Sequence, residues 1–556
     1  MKTGTSAEVA PIMFGLTYPY ANQDTYSRVN FGLASAYLQD RITLNDKFNV
    51  TIGLRAELPN YLNDLTANPS IDALDLLDKN GNPRNYASGE WPKSKVSLSP
   101  RLGFNYDVMG DRSLTLRGGT GIFTGRVPFV WLTNMPTNAG VLQNTVEPGS
   151  YAEVAGWIGN VRFQPQDIYY YVNNPPAGAG SVFINNPKAG APASFALVDR
   201  DFKMPSVWRS SFGADYKIPN SVFTLTTDIL YTKDVNSVFQ YGANRKESTA
   251  RMTRQDRAYY PNAASYQYNT AIGANSAVVL TNSDTKGTAF SATFGANMRT
   301  WKGLSGSVFY TFSEAKEISA NAGSSASSAW QASPTVDSPN QQDLSISNFS
   351  VPHRIVANIS YNIKNTTIGV YYSGANQGRF SYYYSNDVNG DGIANDLMYI
   401  PNVGEVTKFA DIKSGTTTLF TAGQQDAAFN QFIADNGLEK YRGQILPRNE
   451  FLLPWLNRVD VRIAQNIFTD MVQKGDKVAI TLDILNFGNL LNSEWGIQDN
   501  TVSSYGAAVL GRSGNLSPDP TFTMLRDGAD LVKSPYRPAS SRFTTWSAML
   551  GFKYSF

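Results

Sequence analysis

The chain has 556 residues, a formal net charge of +2, no cysteine and one histidine. This excludes disulfides, thiolate nucleophiles and cysteine-ligated zinc, leaves almost no histidine-based metal or acid–base chemistry, and implies no nucleic-acid partner. Charged residues are only 17%, where a soluble domain carries about 25%, while aromatic residues reach 12%.

Length alone suggests several soluble domains, but little charge with many Tyr and Phe suits a surface facing lipid. No run approaches the roughly 18 to 20 uninterrupted apolar residues of a transmembrane helix. The remaining way across a bilayer is a closed sheet, in which every backbone N–H and C=O is paired without water.

In chain order, residues 1–26 are read as an outer loop, and 27–556 as an antiparallel transmembrane β-barrel. The segment Met1-Lys2-Thr3-Gly4-Thr5-Ser6-Ala7-Glu8 has no apolar export signal, so a barrel chain beginning here is expected to lack its natural start. Strands are predicted at 27–41, 47–57, 98–108, 113–125, 207–216, 222–232, 288–298, 304–314, 353–362, 367–376, 457–467, 477–487 and 541–556. Period-2 alternation carries them. Phe48, Val50, Ile52, Leu54 and Ala56 alternate with Asn49, Thr51, Gly53, Arg55 and Glu57. Val459, Val461 and Ile463 alternate with Arg458, Asp460 and Arg462.

The connections alternate in length. Short links such as Thr43-Leu44-Asn45-Asp46, Pro219-Asn220, Lys302-Gly303 and Lys364-Asn365 are rich in turn formers. Long ones fall at 58–97, 126–206, 233–287, 315–352, 377–456 and 488–540. Short periplasmic turns and long extracellular loops are the habit of outer-membrane barrels, whereas a soluble sandwich has no reason to sort its loops this way. Single-chain bacterial barrels have even strand numbers, so an odd count of about thirteen predicts an odd number of strands upstream. The last strand puts Trp546, Ala548, Leu550, Phe552, Tyr554 and Phe556 on one face. Its Tyr-Ser-Phe end resembles the terminal signal read by the outer-membrane assembly machinery.

An ordered set of segments resembles the Oar-like TonB-dependent transporters of Bacteroidetes and related Gram-negative bacteria. The set includes Ser99-Pro100-Arg101-Leu102-Gly103-Phe104, Arg117-Gly118-Gly119-Thr120-Gly121, Pro352-His353-Arg354, Tyr441-Arg442-Gly443-Gln444 and Ile484-Leu485-Asn486-Phe487-Gly488-Asn489. The resemblance implies the C-terminal thirteen or so strands of a plugged barrel of about 22 strands, with the plug, regulatory domain and TonB box absent. It also implies energised import of a large, scarce solute (a siderophore, oligosaccharide or peptide) driven by TonB–ExbB–ExbD through the missing N-terminal region, and no catalysis. The alternatives are a structural or adhesive protein whose loops bind a neighbouring cell or a surface lipoprotein, and a passive porin.

The sharpest local motif is Asp387-Val388-Asn389-Gly390-Asp391-Gly392-Ile393-Ala394-Asn395-Asp396. Asp387, Asn389 and Asp391, a glycine at position 6, the carbonyl of Ile393 and Asn395 follow the first nine positions of a calcium loop. The usual glutamate at position 12 is replaced by Met398, and Asp396 is the expected substitute. Calcium there would be structural; the competing reading is a tight polar turn.

Trp157, Tyr169, Tyr170, Tyr171, Tyr382, Tyr383 and Tyr384 are candidates for a stacking platform for solute, against loop packing as the plainer reading. Arg55, Arg101, Arg117, Arg209, Arg458 and Arg462 are expected in the lumen, paired with acidic groups or, less simply, guiding anions. Gly118, Gly119, Gly121 and Gly125 lack the Lys-Ser/Thr of a phosphate loop. Ser313 and Lys316 match Ser-x-x-Lys, but Lys2-Thr3-Gly4 precedes them, the wrong order for a β-lactamase. His353 is read as structural.

Overall fold

The computed structural model describes residues 2–3, 9–10, 15–24, 26–147, 167–469, 473–503 and 506–556. Thirteen strands form one antiparallel sheet in which each is hydrogen-bonded to its neighbours in sequence. They are β1 (Phe31–Asn45), β2 (Phe48–Tyr61), β3 (Ser97–Asp107), β4 (Leu114–Thr124), β5 (Ser206–Lys217), β6 (Phe223–Gly242), β7 (Thr288–Trp301), β8 (Leu304–Glu317), β9 (His353–Ile363), β10 (Thr366–Asn376), β11 (Trp455–Thr469), β12 (Lys477–Leu485) and β13 (Ser547–Ser555). Among the described residues β1 pairs only with β2, and β13 only with β12.

Register carries the alternation across the wall. Leu550, Leu482, Ile463, Ile368, Tyr361, Leu304 and Trp301 lie opposite one another in successive strands from β13 to β7. That row is apolar, and its members include Leu550 at 76% exposure, as a lipid-facing surface requires. On the other face Asn105, Arg117, Gly213, Asp228, Thr293, Thr311 and Arg354 form a polar row from β3 to β9. A side chain at Gly213 would sit 2.7 Å from Asp228 Oδ1 and 2.8 Å from Arg117 Cζ, so the glycine makes room for their ion pair.

Some boundaries differ from those read in the sequence. The first strand runs four residues further than expected, because the pairing of β1 with β2 continues to a two-residue turn. There Asn45 Oδ1 accepts from both Lys47 N and Phe48 N at 2.9 Å. β6 continues to Gly242, ten residues past the expected end, and pairs beyond the wall with Ala277–Ser283, itself paired in parallel with Phe195–Val198. The last strand begins at Ser547, because Arg542–Thr544 forms a 3-10 turn instead.

The long connections all leave one rim, and they hold nearly all of the deeply buried apolar side chains. One core joins Phe380, Tyr382, Met398, Phe429, Phe432, Val509 and Met524, from the connections after β10 and β12. A second gathers Ile71, Leu76, Phe195, Tyr241 and Val279. Two helices serve the cap: α1 (Phe129–Asn138), whose Leu132 and Met135 join a third core with Val198 and Phe202, and α2 (Ala422–Asp435), which serves the first. In α2, Thr421 and Gln424 form a capping box, and Phe429, Phe432 and Ile433 face inward. The wall therefore exposes its apolar residues and the cap buries its own.

Candidate functional site

The segment from Asp387 to Asp396 lies inside the cap. Gly390 and Gly392 have φ of +88° and +83°, the left-handed conformations that a tight ligand loop demands of glycine. Asp387 Oδ1 and Oδ2 accept from Gly390 N at 2.6 Å and Gly392 N at 2.9 Å, Asn389 Oδ1 from Asp391 N at 3.0 Å, and Asp391 Oδ1 from Ile393 N at 2.8 Å. These bonds make a compact polar turn, with the side-chain oxygens of Asp387, Asn389 and Asp391 drawn onto the backbone of the loop.

Two arginines supply positive charge to it. Arg245 Nη2 lies 3.0 Å from Asp391 Oδ2, and Arg257 Nη1 lies 2.9 Å from Asp396 Oδ1, all four side chains being almost fully buried. Burial pushes both carboxyl groups upward against the pull of those guanidiniums. Asp396 Oδ2 accepts from Val388 N at 2.7 Å, so one oxygen of the expected substitute ligand already holds a backbone donor and the other faces the Arg257 charge. Asn395 Nδ2 donates to the Ser333 carbonyl at 2.9 Å, and the Ile393 carbonyl accepts from Asn395 N at 3.1 Å. Asp387 is the carboxylate of the loop with no ion pair among the described residues. Among those residues, no group of three or more acidic or histidine side chains gathers as metal ligands do.

The candidate aromatic platform is dispersed. Trp157 lies outside the described residues. Tyr382, Tyr383 and Tyr384 are 1%, 8% and 2% exposed and offer no open ring face. Tyr382 packs edge-on against Phe451 at 4.6 Å, and Tyr384 stacks on Phe522 at 5.2 Å. Tyr171 is buried beside Phe183, whereas Tyr169 and Tyr170 keep part of their surface. For Tyr171, Tyr382, Tyr383 and Tyr384 burial in the loop cores gives the rings a packing role.

The lumen-face arginines find partners on the wall. Arg117 bridges Asp215 and Asp228, Arg55 meets Glu57 at 3.0 Å, and Arg458 and Arg462 lie 3.5 Å from Asp460 and Asp483. Arg101 lies over the Phe123 ring at 4.7 Å, and Arg209 Nε donates to Thr232 Oγ1 at 3.3 Å. His353 stacks on Tyr310 and shares a 2.8 Å hydrogen bond with its hydroxyl through Nδ1. A Cβ at Gly119 or Gly121 would approach the carbonyl oxygen of Leu102 or Pro100 to 2.9 Å; these glycines serve close strand packing.

A cavity of about 740 Å³ opens between the connections after β8, β10 and β12, within the size range of small-molecule sites. Its walls include Asn348, Arg379, Arg448, Asn500, Ser503 and Arg537. Arg379 and Arg448 escape sequence reading because a guanidinium becomes notable here through its neighbours, which are distant in sequence.

No curated protein matches the sequence. Among solved structures the chain is similar to the FrpB iron transporter from Neisseria meningitidis (F3-3 variant), with 9% identity and a TM-score of 0.37 over 84% of this chain and 42% of that one. The outer membrane transporter YddB from Escherichia coli gives 9% identity and 0.41 over 94% and 55%. The siderophore receptor PirA from Acinetobacter baumannii gives 9% and 0.38 over 82% and 41%. The chain thus spans between 41% and 55% of their lengths. Residues 2–507 match the family described as outer membrane beta barrel domain. With that match covering most of the sequence, the chain belongs to the outer-membrane β-barrel domain family, and its place is the outer membrane of a Gram-negative bacterium.

Proposed function

We propose that the chain is the barrel portion of an Oar-like TonB-dependent receptor and transporter that imports a large solute. The observation that supports this most is the division between a polar-lined wall and a cored cap of long loops enclosing a cavity. A cap with its own hydrophobic core holds a binding surface in fixed geometry, which capture of a scarce solute needs and passive diffusion does not. TonB–ExbB–ExbD would act through a segment N-terminal to the barrel, and the assembly machinery through the strand ending at Phe556.

The test is growth of the source bacterium on limiting solutes with the gene deleted, restored by the full-length gene. Complementation that fails when TonB is inactivated is expected. Restored growth without TonB would favour a porin. Normal uptake of every tested solute class with impaired adhesion would favour the adhesive alternative.

A structural calcium ion at Asp387, Asn389, Asp391, Ile393, Asn395 and Asp396 is a second proposal, favoured by the positive φ at Gly390 and Gly392. Asp387 would be its anchoring carboxylate, with Arg245 and Arg257 retained as neighbours. Calorimetric titration with calcium is expected to give heat that Asp387→Ala abolishes. No heat from the folded wild-type protein rejects the ion.

A further inference from the structure

We infer that the cavity between the connections after β8, β10 and β12 binds a solute through anionic groups, carboxylate or phosphate. Three arginines line it, Arg379, Arg448 and Arg537, and among the described residues no acidic side chain does. Arg537 has an ion pair, with Asp527 at 3.3 Å. Arg379 and Arg448 have no carboxylate within ion-pair distance among the described residues. Arg245 and Arg257 elsewhere in the cap have carboxylates, whereas Arg512 and Arg526 are held by backbone carbonyls as these two are.

What holds the two in place is backbone. Arg379 Nη1 donates to the carbonyls of Asn449 and Glu450 at 3.2 Å. Arg448 Nη2 donates to the carbonyls of Glu317, Ile318 and Asp343. Each guanidinium is thus fixed by one terminal nitrogen, while Arg379 Nε is buried without any partner. That nitrogen has no surface open to the cavity, so an oxyanion would meet the other guanidinium nitrogens. A guanidinium presents its N–H groups as a planar fork that matches carboxylate and phosphate oxygens. Asn348, Asn500 and Ser503 add neutral polar groups for the remainder of a larger solute. Carbonyl anchoring alone would explain why Arg448 is present; it does not explain an all-cationic lining around open volume.

The inference rests on the receptor reading for its purpose but is tested apart from it, on the purified 556-residue chain in detergent. Titration calorimetry would use tricarballylate for carboxylate, fructose 1,6-bisphosphate for phosphate, and maltotriose as the neutral control. Binding of at least one anion, weakened by added salt, is expected, with maltotriose silent. Arg379→Gln is the primary variant, because its carbonyl contacts stay within its own loop; Arg448→Gln is the second, accepted only if its circular dichroism matches wild type. Each is expected to weaken anion binding about tenfold or more, the loss of a charge-assisted hydrogen bond. If both anions bind, the tighter one names the source. No anion heat in the wild type, equal heat from maltotriose, or full affinity in Arg379→Gln overturns the inference. Anion binding without uptake in cells would sink the transport reading alone, and uptake without anion binding would sink this inference alone.

Discussion

Replacing Arg257 with methionine is expected to loosen the cap without disturbing the wall. The guanidinium is 0% exposed, lies 2.9 Å from Asp396 Oδ1 and also donates to the Leu397 carbonyl. Removing one partner of a buried ion pair costs about 3–5 kcal/mol. The lower end applies here, because Asp396 Oδ2 keeps its bonds from Val388 N and Asn389 N at 2.7 and 3.3 Å. Burial has also already pushed this carboxyl upward, so protonation relieves part of the stranded charge. About 3 kcal/mol is roughly a hundredfold in a local opening constant. The assay is amide hydrogen exchange, read at Tyr384, Leu397 and Met398, whose N–H groups bond across loops to Asp396, Thr335 and Tyr382 at 2.8 to 3.0 Å. Their protection should fall by that factor while β11 and β12 keep theirs. Adding Asp396→Asn should restore part of it, since a neutral amide removes the buried charge and keeps an acceptor for the Val388 and Asn389 N–H groups. Protection within about threefold of wild type at all three amides would refute the reasoning.

Three further outcomes follow from other contacts. Gly119→Val should lower the yield of folded barrel, costing about 1–3 kcal/mol through a clash with the Leu102 carbonyl that the backbone cannot relieve; heat-modifiable migration on gels reads it. Asn489→Ala removes donations to the Ser493 and Trp495 carbonyls at 3.0 and 2.9 Å and the acceptor for Trp546 N at 3.1 Å. About 1–3 kcal/mol of local stability should go, seen as faster protease cleavage within 486–546. At Asp519 burial raises the carboxyl, but Lys408 and Arg254 outweigh it and hold it below the ordinary range. Its stabilising contribution is therefore complete above the unfolded value of about 3.9 and lost as pH falls through the lower folded value; exchange at 517–522 should quicken in that window in wild type and stay flat in Asp519→Asn.

The wall was legible because period 2 is a property of consecutive residues. Alternation at Phe48–Glu57 or Val459–Arg462 needs no knowledge of partners, and turn formers at Lys302-Gly303 and Lys364-Asn365 mark where strands reverse, as the positive φ of Lys302, Gly303 and Lys364 bears out. Ends were less legible, since pairing with a neighbour carries β1 to Asn45 and β6 to Gly242. The cap was illegible for a different reason. Tyr382 and Tyr384 look alike in sequence whether they face solvent or a core, and the residues that bury them, Phe432, Phe451 and Phe522, lie 48 or more positions away or follow a helix that alternation does not reveal. The turn geometry at Asp387–Asp396 was readable locally, but its counterions Arg245 and Arg257 arrive from the connection after β6.

The arginines also separate two ways in which such a chain could handle an anion. A guiding path along the lumen needs unneutralised guanidiniums spaced along the wall. Arg117 is instead shared between Asp215 and Asp228, and Arg55, Arg458 and Arg462 each have a carboxylate within 3.5 Å. The pairs of Arg117 and Arg462 link neighbouring strands, those of Arg55 and Arg458 stay within one strand, and all leave little field for a passing solute, more so once salt screens them. Arg379 and Arg448 differ: half-buried or buried, held by carbonyls, and without a carboxylate at ion-pair distance among the described residues, although Glu450 and Glu314 act on Arg379, and Glu317 and Asp343 on Arg448, from further away. Lower dielectric strengthens any charge that meets them. Of the six lumen-face arginines, four are thus neutralised, while Arg101 and Arg209 meet a ring and a hydroxyl without a carboxylate among the described residues; Arg379 and Arg448 differ from both sets in lining enclosed space.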